Sequence, residues 1–212
     1  MRVALIGATG LTGRSLVPLL AADHQLHLLT RRATGLDARE TIAPMEEWPA
    51  RLGGDPVDVA ISTLGTTWRK AGSWPAFEAV DHDAVIGFAR AARAVGASQF
   101  ITISSVGADP ESRHLYLALK GRVELALADI GFDRLDIMRP GLLRGPRGGD
   151  RRRGERIGVA LSPLTNLVMH GRLNRFAAID ATTVAAAMVA LVGAPREGRF
   201  VHHNREIRAL VG

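Results

Sequence analysis

Tyr116 and Lys120 are the residues of this chain whose types and spacing most clearly suggest chemistry. They lie four apart in the helical-looking run LYLALKGRVE, so both side chains leave one face of a helix a turn apart. Ser104 and Ser105 stand twelve and eleven residues before the tyrosine, where the apolar run QFITIS ends. Transfer of a proton to a carbonyl oxygen needs an acid whose pKa lies near the working pH. A free phenol, near 10, is too weak an acid. A neighbouring ammonium stabilises the phenolate, and each unit by which it lowers a pKa corresponds to about 1.4 kcal/mol. A strand-end serine hydroxyl can hold the substrate oxygen where Tyr116 reaches it. On its own a Tyr-x-x-x-Lys pair is common on helices, so its meaning depends on what surrounds it.

The elements that would position this pair begin at the amino terminus. Residues 3–14 read VALIGATGLTGR, four apolar residues running into Gly7, then Gly10 and Gly13, then the helical pattern of Leu16, Val17, Leu19 and Leu20. A buried strand that meets a helix through a glycine turn forms a phosphate cradle. The first turn of the helix has unpaired N–H groups and a partial positive charge of about half an electron. Gly7 is expected to make the tight turn, Gly10 to let backbone approach a pyrophosphate, and Gly13 to let helix and strand pack closely. The expected cradle is Gly7, Thr9, Gly10, Leu11, Thr12, Gly13 and Arg14. A P-loop is excluded, because Thr12 stands where its second glycine belongs and Arg14, not lysine, follows Gly13.

Gln25–Thr30 reads as a second strand and is followed by Arg31 and Arg32. NAD-specific folds place an acid here to bind the ribose 2′-hydroxyl. Two arginines instead suit a 2′-phosphate, each charge-assisted contact contributing roughly 1.5–3 kcal/mol, so NADP(H) is the expected cofactor. Arg14 is a candidate second phosphate partner, and Asp37 comes too late to be the missing acid. Residues 57–62 form a clearer strand ending in Thr63, Leu64 and Gly65, where backbone can approach the adenosine half of the cofactor. A short strand is expected around Thr41 and Ile42. Further strands are expected over 99–104, within 130–139 and over 198–202. Helices are expected over 77–95, from about 110 to 129, over 180–192 and over 206–210. This alternation predicts an α/β fold of the Rossmann type: a doubly wound, mostly parallel sheet with helices on both faces. One domain over residues 1–212 is expected, with a core of about 1–141 and a small substrate-side lobe in 142–212.

The 212 residues carry a net charge of +6 and no cysteine, which excludes disulfides, thiolate metal sites and a cysteine nucleophile. No run of eighteen apolar residues exists, and the first strand opens at Arg2, so neither a membrane span nor a signal peptide is expected. A cytoplasmic location is expected by default. Six arginines crowd residues 144–156 without an interleaved aromatic, which favours a solvated loop over a nucleic-acid surface. The histidines form no HExxH, so no metal is expected, and the absence of G-x-S-x-G leaves a serine hydrolase unsupported.

Taken in order, GATGLTGR, ISSVGA, YLALK and RPG resemble the short-chain dehydrogenases/reductases of the atypical or extended branch, with GxxGxxG spacing. The chain is most similar to the Tat-interacting-protein-like NAD(P)H-binding oxidoreductases. The loop Leu64-Gly65-Thr66-Thr67 with Lys70-Ala71-Gly72, then Gly107-Ala108-Asp109 and residues 115–124, match theirs over roughly residues 1–145. The resemblance implies Tyr116 as general acid, Lys120 as holder of the nicotinamide ribose, and Ser105 or, second to it, Ser104 as polariser of the carbonyl. It further implies that Pro140, Gly141 and Leu142 lie against the nicotinamide. The substrate would be a small carbonyl or alcohol and the protein a monomer or homodimer. Where many members carry a relay asparagine, this chain has Asp81 and Asp83. Some members bind NADPH chiefly as regulators, so a cofactor sensor with little turnover is the alternative.

Overall fold

The computed structural model describes residues 1–145 and 175–212. Its centre is a seven-stranded sheet in which every neighbouring pair is parallel. The strands are β1 (Arg2–Ile6), β2 (Gln25–Thr30), β3 (Arg39–Ile42), β4 (Val59–Ser62), β5 (Gln99–Ile103), β6 (Arg134–Arg139) and β9 (Gly198–His203). Their order across the sheet is β3-β2-β1-β4-β5-β6-β9, so the direction of winding reverses between β1 and β4. A parallel sheet covered on both faces needs strands that are apolar throughout, and VALI in β1 and VAIS in β4 are buried along their length. Ligand crevices in such sheets open beyond the carboxyl ends of the strands at the reversal. The expected doubly wound fold is the observed one.

Two apolar layers flank the sheet. On one face α1 (Leu11–Ala21) and α7 (Ala181–Leu191) pack Leu16, Val17, Leu20, Val184, Met188 and Leu191 against β1, β2 and β4. On the other, α2 (Trp48–Leu52), α5 (Ala84–Ala94) and α6 (Leu115–Ala128) contribute Trp48, Leu52, Phe88, Ala89, Val123 and Leu127. A short helix α8 (Asn204–Ala209) follows β9. A two-stranded parallel pair, β7 (Leu143–Arg144) with β8 (Ile179–Asp180), brackets residues 146–174. Most of the arginine-rich segment, and residues 146–174 of the expected substrate-side lobe, lie outside the described residues.

Beside shifts of one or two residues at other element ends, three differences from expectation have a visible physical reason. The helix expected over 77–95 is α4 (Trp74–Glu78), a π-helical turn (Ala79–Asp83) and then α5. The wider turn buries Asp81, which an unbroken amphipathic reading does not reveal. The helix expected from about 110 starts only at Leu115, because the Asp109 carboxylate accepts the Glu111 N–H and closes a local turn before it. The strand expected from Val57 starts at Val59, since the Asp58 carboxylate is taken by the backbone N–H and guanidinium of Arg2.

Buried titrating groups give the fold a pH dependence. Burial pushes the His27 imidazole below its ordinary 6.5, Arg39 adding to this and Asp55 opposing it. Burial, and then Arg139, does the same to His203. Burial pushes the Asp136 carboxyl up, but hydrogen bonds from His202, Arg134 and Gln99 outweigh it and hold the group below 3.8. Below pH 6.5 the unfolded chain binds protons that the two folded-state histidines refuse, so stability falls as pH falls. The contribution of Asp136 is present above pH 3.8 and is lost as pH drops through its lower folded-state value. Denaturant midpoints should decrease from pH 7 to about pH 5, and His27→Gln should flatten that slope. A slope unchanged in His27→Gln would show that this histidine does not set it.

Candidate functional site

The glycine turn packs as its spacing requires. Gly7 has φ of +89°, and a Cβ there would lie 2.5 Å from the backbone of both Thr63 and Leu64. The Thr63 hydroxyl donates to the Gly7 carbonyl at 3.0 Å, locking the turn to the end of β4. At Gly13 a Cβ would come within 2.8 Å of the Ala8 Cα and nearer still to the Gly7 carbonyl oxygen. Gly10 is the N-cap of α1 with extended backbone and no side-chain cap, and the first turn contains no acidic residue. The opening N–H groups of an eleven-residue helix therefore face the crevice without a side-chain partner among the described residues. Gly13→Ala should destabilise the fold by about 1–3 kcal/mol through overpacking. Gly10→Ala asks the Gly7 oxygen to shift only a few tenths of an ångström from 3.2 Å, so its loss should appear chiefly in cofactor affinity. Denaturant midpoints and dinucleotide titrations of the two variants separate these effects.

Two adjoining clefts of about 350 and 510 Å³ follow this turn and share Gly7, Thr9, Arg31 and Leu64. The first is also lined by Thr30, Arg32 and Trp48, and the second by Gly10, Thr63, Gly65, Thr66 and Lys70. Arg31 and Arg32 are exposed at the end of β2, and neither enters an ion pair among the described residues. Arg14 instead donates from Nε to the Thr9 carbonyl at 3.0 Å, which braces the turn. Thr30 is 6% exposed, lines the first cleft, and its hydroxyl has no hydrogen-bond partner among the described residues. Such a buried orphan hydroxyl is costly unless a ligand pairs with it. A helix start without a side-chain cap, two uncommitted guanidiniums and an orphan hydroxyl fit an anionic dinucleotide.

The tips of β5 and β6 and one face of α6 bring the remaining residues together. Tyr116, Lys120 and Glu124 follow one another at four-residue spacing on α6. The Tyr116 ring is half-buried, meets Phe77 edge-on at 6.1 Å, and makes no hydrogen bond through its hydroxyl among the described residues. Phe77 stacks on Trp74, and Trp74 meets Trp68 at a tilt with ring centres 6.2 Å apart, so the tryptophans flank the tyrosine side of the site. The Lys120 ammonium stands 5.9 Å from the Tyr116 ring centre and pairs with Asp81 at 2.8 Å. Asp83 pairs with His82 at the surface instead.

The two serines part ways. The Ser104 hydroxyl donates to buried Glu124 at 2.5 Å, while among the described residues the Ser105 hydroxyl has only a 3.3 Å contact with the Val106 carbonyl. Glu124 also accepts two hydrogen bonds from Arg139, at 2.8 and 2.5 Å, so it ties the ends of β5 and β6 to the helix that bears Tyr116. Pro140 accepts from the Val106 N–H, and the Gly141 N–H donates to the fully buried Asn204 side chain. Asn204 donates in turn to the Ala177 carbonyl at 2.7 Å, and Leu142 is exposed beside this loop. Thr30, Trp48, Glu124 and Asn204 were not legible as site residues, because their partners lie far away in the chain. The four-residue spacing of Glu124 after Lys120 was the one available signal.

No family model matches the chain. Protein FMP52 of Coccidioides immitis is 31% identical over 228 residues, which is 99% of this chain and 92% of that protein. Protein HTATIP2 of Rattus norvegicus is 35% identical over 153 residues, 66% of this chain and 62% of its own length. Among solved structures, a UDP-N-acetylglucosamine 4-epimerase from Methanobrevibacter ruminantium superposes with a TM-score of 0.69 at 14% identity, over 95% of this chain and 76% of that one. A short-chain dehydrogenase/reductase superfamily protein from Agrobacterium tumefaciens with bound NAD gives 0.69 at 15%, over 96% and 77%. At these identities the likeness is one of fold. The relatives also correct the expected cytoplasmic location: FMP52 proteins of several fungi are named mitochondrial. The expectation had rested on missing signals, and an absence specifies no compartment. By its extended similarity to FMP52 and HTATIP2, and by a sheet shared with dehydrogenases and epimerases, the chain belongs to the Tat-interacting-protein-like branch of the short-chain dehydrogenase/reductase superfamily.

Proposed function

We propose that this protein is an NADP(H)-dependent oxidoreductase acting on a small carbonyl or alcohol. The observation that carries the reading is the half-buried Tyr116 hydroxyl, without a partner among the described residues and with the Lys120 ammonium one helical turn away. The cofactor supplies or accepts the hydride when bound. Gly7, Thr9, Gly10, Leu11, Thr12 and Gly13 would hold its pyrophosphate on the first turn of α1, with Arg14 bracing that loop. Arg31 and Arg32 would read the 2′-phosphate, and Thr63, Leu64 and Gly65 would line the adenosine half. Pro140, Gly141 and Leu142 would face the nicotinamide.

Ser105 would donate a hydrogen bond to the substrate oxygen, its hydroxyl being held less tightly than that of Ser104. In reduction Tyr116 would give its proton to that oxygen, and in oxidation its phenolate would take the proton back. The Lys120 charge favours the phenolate in both directions. NADPH oxidation should be measured against a panel of ketones, aldehydes and dicarbonyls, beside a fluorescence titration of NADPH. Turnover of at least one carbonyl is expected. Tight NADPH binding with no turnover across the panel would overturn the oxidoreductase reading and leave a cofactor sensor.

A further inference from the structure

Lys120 and Asp81 form a buried ion pair that the proposed chemistry does not itself call for. The side chains are 7% and 1% exposed, with Nζ and Oδ1 2.8 Å apart. The second Asp81 oxygen accepts the Thr66 N–H at 2.7 Å, on the loop that follows β4 and lines the larger cleft. Asp81 reaches this position because the chain takes a π-helical turn over Ala79–Asp83 between two α-helices. Such single π turns occur disproportionately at functional sites. A buried ion pair is a poor stabiliser, since desolvation offsets most of the attraction, and well-packed apolar residues often serve as well. Fold stability is therefore a weak reason for this pair.

We propose that Asp81 is a positioning residue that sets how strongly the Lys120 ammonium acts on the Tyr116 phenol. The inference rests on the reading of Tyr116 and Lys120 given above. Through Oδ1 the carboxylate fixes where the ammonium stands, and its negative charge cancels part of the field that the phenol feels. Through Oδ2 the same group ties that setting to the Gly65–Thr66 backbone of the cleft. The other charged groups around the pair are already committed: Glu124 on α6 to Arg139 and Arg199, Glu78 on α4 to Arg122, and Asp83 to His82. Lys70, on the short helix α3 (Trp68–Ala71), and His114, at the N-cap of α6, are exposed. Asp81 is thus the buried counter-charge of Lys120.

Tyr116 is the only tyrosine of the chain, so the near-ultraviolet absorbance of phenolate reports this one group without any substrate. In Asp81→Asn, which keeps an acceptor for the Thr66 N–H, the titration midpoint should fall by about one pH unit relative to the unaltered protein. In Asp81→Glu, which keeps the charge, it should stay near the original value. Circular dichroism at each pH confirms that the fold persists. Equal midpoints in the unaltered protein and Asp81→Asn would overturn the proposal. Should Asp81→Asn not fold, Asp81→Glu against Asp81→Gln poses the same question, and equal midpoints there overturn it too. The outcome is separable from the catalytic reading, which Tyr116→Phe turnover tests independently.

Discussion

Tyr116→Phe is expected to lower kcat/KM for NADPH-dependent carbonyl reduction by about 10²–10⁴-fold, the range for removal of a general acid. NADPH affinity should stay close to its original value, because the contacts proposed for the dinucleotide come from the glycine turn, the end of β2, the β4 loop, Lys120 and residues 140–142, and Tyr116→Phe removes none of them. The hydroxyl is the only atom group removed. The edge-on packing of the ring against Phe77 and its place beside Lys120 are retained, so the fold should be undisturbed. Since Lys120 already has Asp81 as partner, losing the phenol leaves no uncompensated buried charge. A loss confined to kcat/KM, with unchanged denaturant midpoint and cofactor titration, is the expected pattern. Unchanged turnover on every accepted carbonyl would remove Tyr116 from the chemistry.

Joint replacement of Arg31 and Arg32 by alanine should weaken NADPH by about a hundredfold or more and NADH much less. Each charge-assisted contact with a phosphate contributes roughly 1.5–3 kcal/mol, and 1.4 kcal/mol is a factor of ten. The two side chains stand exposed at the end of β2, beside the buried Thr30 hydroxyl, and no internal ion pair among the described residues competes for them. Their removal should therefore leave stability unchanged. Fluorescence titrations of both dinucleotides decide the matter. Equal weakening of NADPH and NADH would mean that the arginines serve general anion attraction and do not read the 2′-phosphate.

Much of the frame was legible because it is written in local patterns. Four apolar residues running into Gly7 read as a buried strand, and the glycines at positions 7 and 13 are required where a Cβ would strike neighbouring backbone. β2 has the bounds its apolar run predicts, and the strand-helix alternation specifies the parallel sheet. The facing of Tyr116 and Lys120 follows from the pitch of a helix. The interruption of the helix at Ala79–Asp83 was not legible, since a π turn leaves the apolar spacing on either side intact.

What the sequence alone determined was therefore the winding of the fold, the tight glycine turn and the placing of Tyr116 and Lys120 on one helix face, all set by backbone sterics and periodicities that act within a few residues. Only the tertiary structure decided which serine is held by Glu124 and which keeps a loosely held hydroxyl, that Asp81 is the partner of Lys120, and that Asn204 fastens the Gly141 loop. Each of these is a choice of partner between residues distant along the chain, made by burial: a charge or hydroxyl withdrawn from water must pair with whatever the packed elements place beside it.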